Sequence, residues 1–185
     1  MAVTDYKFAG TTATVDNGTS VDWSNPDYAK ADDTSYASCA VPKNGASDLL
    51  TLSNFGFSSS DIPSGSTIDG IEFVMSRYAD NDLKSENALY LRKASGRTGS
   101  NMASTTFWAL SSPTEKTYGG ATEMCGTTLT QSDIVASTFG IELAITKNTT
   151  FYVDYIKIRV YYTEGGAGSL PLKNVFGRPF RGVFR

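Results

Sequence analysis

Histidine is absent from this 185-residue chain. Its absence removes the commonest general base at neutral pH, the Ser-His-Asp and Cys-His arrangements, and the usual zinc ligand set. Cysteine is scarce, and Cys39 and Cys125 stand too far apart in sequence to suggest a metal site. No glycine-rich phosphate loop of the G-x-x-x-x-G-K-S/T type occurs. No stretch approaches the roughly eighteen apolar residues of a membrane span, and the opening MAVTDYKFAG lacks a basic segment followed by an apolar run. The expectation is a protein with no enzymatic activity and no cofactor or metal, made and folded in the cytoplasm. Both cysteines are then expected to be reduced and packed rather than bridged.

What the chain does contain suits an all-β protein. It is 40% hydrophobic and 12% aromatic, with 17 glycines and only 19% charged residues. The clearest strand is FYVDYIKIRVYYTE, where Ile156, Ile158, Val160 and Tyr162 alternate with Lys157, Arg159 and Tyr161. Just before it, FGIELAIT puts Phe139, Ile141, Leu143 and Ile145 on one face. With KNTT as a short polar connection, the two segments predict an antiparallel hairpin. Earlier strands are expected around Ile71, Phe73 and Met75, around Leu89 and Leu91, and around Leu50 and Leu52. Breakers such as SSSDIPSGS and the polar loop DNDLKSEN separate them. Short strands at about ten-residue spacing predict an antiparallel two-sheet β-sandwich or barrel. One helical turn is expected in TLTQSDIVASTFG, with Thr130 as N-cap and Asp133 three positions on.

The domain reading is a β-sandwich over residues 1–164, a Gly-rich hinge at 165–169 and a C-terminal tail at 170–185. Charge divides the same way. From Leu170 onward lie Lys173, Arg178, Arg181 and Arg185 with no acid, so residues 1–169 hold 12 of the 16 cations against all 19 acids, a net −7. Such a body repels nucleic acid and membrane phosphate, so neither is expected as a partner. The tail places Lys173, Val175, Phe176, Arg178, Phe180, Arg181, Phe184 and Arg185 in a pattern of rings beside cations. That pattern suits an anchor whose rings enter pockets while its arginines pair with carboxylates at the rim.

The run of elements WSNPDYAKADDTSYA, NFGFSSSDIPSGSTIDGIEFVMSRYAD, YGGATEMCGTTLTQSDIVASTFGIELAI and VDYIKIRVYYTE resembles a jelly-roll-type β-sandwich domain of tailed-bacteriophage virion proteins. The resemblance covers roughly residues 20 to 163 and rests on spaced turns and strand endings. It implies a structural protein on the virion surface, a capsid decoration or cement protein bound to the major capsid protein or another virion protein. It also implies a homotrimer. A glycan- or receptor-binding module of the tail or fibre apparatus is the alternative.

Other chemistry has candidates but weaker support. Glycosidases need only two carboxylates, and Asp32, Asp33, Glu72 and Glu142 are available. Glu72 and Glu142, however, alternate with apolar residues and read as the solvent face of strands. Asp80, Asp82 and Glu86 are a calcium candidate, although the loop lacks the glycine and spacing of an EF-hand and reads as a solvated loop. Trp23 and Trp108 offer a glycan-stacking platform or, the favoured reading, core or interface anchors.

Overall fold

The computed structural model describes residues 1–18, 21–81 and 86–165. Among the described residues twelve strands follow one another: β1 (Ala2–Val3), β2 (Lys7–Phe8), β3 (Thr11–Val15), β4 (Ala37–Val41), β5 (Leu49–Ser53) and β6 (Thr67–Ala79), then β7 (Glu86–Lys93), β8 (Gly96–Thr98), β9 (Ala109–Leu110), β10 (Thr114–Gly119), β11 (Gly140–Ile145) and β12 (Thr149–Thr163). They form two sheets, as expected for an all-β chain. The first runs β1-β12-β6-β10, with β2 and β4 also on β12 and β9 beside β6. The second runs β3-β5-β11-β7-β8. One buried core draws Ile71, Phe73, Met75, Ile156, Ile158 and Val160 from the first sheet and Leu50, Leu52, Leu89, Leu91, Ile141, Leu143 and Ile145 from the second, consistent with a β-sandwich.

The spine of the first sheet is the antiparallel pair β6 and β12. Its register sets Met75 opposite Ile156, Phe73 opposite Ile158 and Ile71 opposite Val160, so inward residues meet inward residues. A bulge lies between Val153 and Tyr155. The extra residue, Asp154, shifts the phase of the strand by one, which lets Phe151 and Val153 point inward on the same side as Ile156 and Ile158.

The hairpin expected between residues 139–145 and 151–162 does not form. β11 pairs with β5 and β7 in one sheet, whereas β12 pairs with β6 in the other. Both strands carry a fully apolar face, and those faces are buried most completely when the strands lie in opposite layers. The segment between them is therefore a crossover. It turns at Lys147 (φ 101°) and is fastened where Ser47 donates to the Ile145 carbonyl at 2.9 Å. The DNDLKSEN segment likewise leaves one sheet and enters the other, though its residues 82–85 lie outside the described ones.

The helical turn appears where expected, as α1 (Gln131–Val135). The capping box closes through the Asp133 amide to Thr130 Oγ1 (3.2 Å) and the Thr130 amide to Asp133 Oδ2 (2.9 Å). A 3-10 turn at Pro26–Ala29, with proline at its start, was not anticipated. Among the described residues, no helix is long and apolar enough to cross a membrane. Cys39 and Cys125 are buried and free. Burial first, then nearby acids, pushes the Cys39 thiol up to about 12 and the Cys125 thiol to about 11.

Candidate functional site on a tyrosine-rich sheet face

Strand alternation places one set of residues on the outer face of the first sheet. β6 contributes Glu72 and Tyr78, β10 contributes Glu115, and β12 contributes Tyr152, Lys157, Arg159 and Tyr161. Tyr6 and Phe8 join them from the N-terminal segment, whose β2 lies along β12. Arg159 pairs with Glu72 at 2.7 Å and stands over the rings of Tyr6 (4.7 Å) and Tyr161 (5.3 Å). Tyr6 donates to Glu72 from one side, and Tyr161 donates to it at 3.2 Å from the other. Lys157 repeats the pattern with Glu115 (2.7 Å) and the Tyr155 ring (4.9 Å), against which Phe8 packs edge-on. Cations between acids and ring faces make this a cross-linked surface with little net charge. Burial, then the Glu72 hydrogen bond, pushes the Tyr6 hydroxyl up to about 12, so it remains a donor at neutral pH.

At the far end of β12, three tyrosines cluster. Tyr152 lies directly opposite Tyr78, and their rings stack at 4.4 Å and 5°. Tyr36 meets both edge-on, at 5.1 Å and 6.4 Å. Tyr152 also donates to Asp80 at 3.4 Å. Each stacked ring covers one face of the other, and Tyr36 closes on both with its edge.

Between these groups sits Asp154, buried at the bulge. It accepts from Ser76 Oγ at 3.2 Å and from the Asp33 amide at 3.4 Å. Burial raises its pKa, and the charges of Asp32 and Asp33 add to the rise against those hydrogen bonds. A carboxyl raised in the folded state favours folding below the ordinary aspartate range, about pH 4, and that advantage is lost as pH rises through the folded value. Asp154→Asn is therefore expected to be more stable than wild type at about pH 7, with the gap closing toward about pH 3. Thermal unfolding across that range checks it. A variant that is less stable at neutral pH would show that the two hydrogen bonds outweigh the buried charge.

The carboxylates considered for sugar hydrolysis do not converge. Glu72 is on the outer face of the first sheet, and Glu142 is on the second, clasped by Arg92 (3.3 Å) and Arg97 (2.9 Å). Asp32 and Asp33 gather instead beside Asp154. The aromatic-platform reading of the tryptophans is corrected: Trp23 is 3% exposed and Trp108 is 1%, so both are core anchors. The calcium grouping is also corrected at Glu86. Its side chain turns inward to pair with Arg77, and Asp82 lies outside the described residues. Among the described residues, no three His, Cys, Asp or Glu side chains form a metal-binding group. The tail residues Lys173, Val175, Phe176, Arg178, Phe180, Arg181, Phe184 and Arg185 lie outside the described residues, as does most of the hinge.

Sequence reasoning missed the Arg77 and Glu86 pair. Glu86 also accepts from the Ser104 amide (2.6 Å), Trp108 Nε1 (3.2 Å) and the Tyr118 hydroxyl. Arg77 lies 4.9 Å from the centre of the Trp108 ring. One signal was available: Arg77 continues the inward series Ile71, Phe73, Met75 at a spacing of two. The tyrosine cluster had no comparable signal, because uniting Tyr36, Tyr78 and Tyr152 depends on strand register. No family model matches the chain, and no curated protein matches it.

Proposed function

We propose that the chain is a structural virion protein of a tailed bacteriophage, a jelly-roll-type decoration or cement protein that binds and stabilises the major capsid shell. The observation that carries the docking role is the tyrosine-rich outer face of the first sheet. Tyrosine supplies large, amphipathic contact area at low conformational-entropy cost, and arginine in a planar fork adds directed hydrogen bonds at an interface rim. Residues 170–185 act as a second attachment, their cations meeting carboxylates on the shell or on the adjacent copy. The virion setting itself rests on the resemblance. A homotrimer accords with the outer strands β8 and β10, each paired on one side, whose free edges an assembly covers.

Receptor binding by a tryptophan platform is disfavoured, because both tryptophans are buried. The test is co-sedimentation of purified protein with shells that lack it. Wild type is expected to bind. Tyr78→Ala with Tyr152→Ala, and separately deletion of residues 169–185, are each expected to weaken binding about tenfold or more while circular dichroism stays unchanged. Failure of the wild type to bind shells would overturn the proposal, and binding by the deletion variant equal to wild type would remove the tail as an anchor.

A further inference from the structure

At one end of the two-sheet body, the turn after β4 faces the crossover from β11 to β12. The two are held together by the Ala46 and Thr146 bridge and by paired contacts of Ser47 with Ile145. Between them lies a cleft of about 580 Å³ lined by Lys43, Asn44, Gly45, Thr146, Lys147 and Asn148. Its volume falls within the range of small-molecule sites. Among the described residues, no carboxylate is ion-paired with Lys43 or Lys147. Two unpaired lysines facing one hollow stand out on a body of net charge −7.

The backbone adds an independent observation. Lys147 sits at φ 101° and Asn44 at φ 63°. Asparagine tolerates such a conformation, but lysine is strained there, where glycine would not be. Two left-handed residues thus flank the same cleft, and the more strained one carries a cation to its rim. The adjoining hollow shares Asn148 but contains the Asp80 carboxylate, which confines an anion to the lysine side.

We propose that this cleft binds an anionic saccharide. The carboxylate or phosphate of the sugar pairs with Lys43 and Lys147, while its hydroxyls meet the amides of Asn44 and Asn148 and the hydroxyl of Thr146. The donor set matches that chemistry: point charges for the oxyanion, and side chains that both donate and accept for the ring hydroxyls. No aromatic stacking is involved, so the site goes beyond the shell-docking reading and differs from it in chemistry.

The experiment is amide-shift titration of the full chain with four probes: an oligogalacturonate, glucose 6-phosphate, a neutral maltooligosaccharide and inorganic phosphate. Oligogalacturonate or glucose 6-phosphate is expected to shift residues 43–45 and 146–148, and the stronger of the two identifies the oxyanion. Lys43→Ala is expected to weaken that probe about tenfold. Lys147→Gly keeps the turn and relieves its strain, so it is expected to lose binding at unchanged or higher stability. Equal shifts with the neutral sugar, equal affinity for inorganic phosphate alone, binding unaffected in both variants, or no response to any charged probe would each overturn the proposal.

Discussion

Arg77→Met is expected to lower the unfolding free energy by about 3–5 kcal/mol, read as a fall in the midpoint of urea denaturation. Arg77 belongs to the first sheet and Glu86 to the second, so their ion pair crosses the core, with both side chains at or below 2% exposure. Removing the cation leaves the Glu86 carboxylate buried with only neutral donors from Ser104, Trp108 and Tyr118. Those donors moderate the loss but do not neutralise the charge. A domain of ordinary stability has about 5–15 kcal/mol in all, so the effect is a large fraction of the whole. Adding Glu86→Gln, which retains an acceptor without the charge, is expected to restore a substantial part of the loss. If the single variant loses less than about 1 kcal/mol, or if the double variant restores nothing, the pair is not what ties the sheets together at this end.

Phe151→Ala is expected to cost about 3–5 kcal/mol and to lower the melting temperature by about 10 °C or more. Phe151 is fully buried on β12, between Cys39 of β4 and Ala79 of β6, and it meets the Trp108 ring edge-on at 5.2 Å. Truncation opens a cavity beneath the same indole that holds Glu86, and surrounding strands fixed by hydrogen-bonded register cannot collapse to fill it. Differential scanning calorimetry of Phe151→Ala beside Tyr152→Ala provides the comparison. The two residues are consecutive on one strand but face opposite ways, so the tyrosine variant is expected to lose far less. Similar losses from both would mean that the inward and outward faces of β12 are not distinct.

The inward faces of the strands were legible because a half-buried strand imposes a period of two. Ile71, Phe73 and Met75, Leu89 and Leu91, and Ile156, Ile158 and Val160 are all buried as that period requires. Partner choice was not legible. Alternation says which side of a strand is apolar but not which sheet it joins, and sequence nearness wrongly suggested that β11 and β12 pair. The cap at Thr130 was readable because all its parts lie within four residues. The outer-face cluster depends on the bulge at Asp154, which slips the β12 register by one residue and sets Tyr152 opposite Tyr78. Nothing local in the sequence marks that residue as the extra one.

The central place of β12 bears on the order in which the protein is assembled. Four segments that precede it, β1, β2, β4 and β6, all hydrogen-bond to this last described strand, and Ala2 is set opposite Tyr162. None of them can complete its sheet until nearly the whole body has been synthesised. Native pairing so distant in sequence carries the loop-closure entropy of the entire domain, the condition that slows folding in all-β proteins. Until β12 arrives, β6 exposes a thirteen-residue strand whose inward side is apolar along most of its length. The growing chain thus has its greatest opportunity for intermolecular strand pairing just before β12 is added.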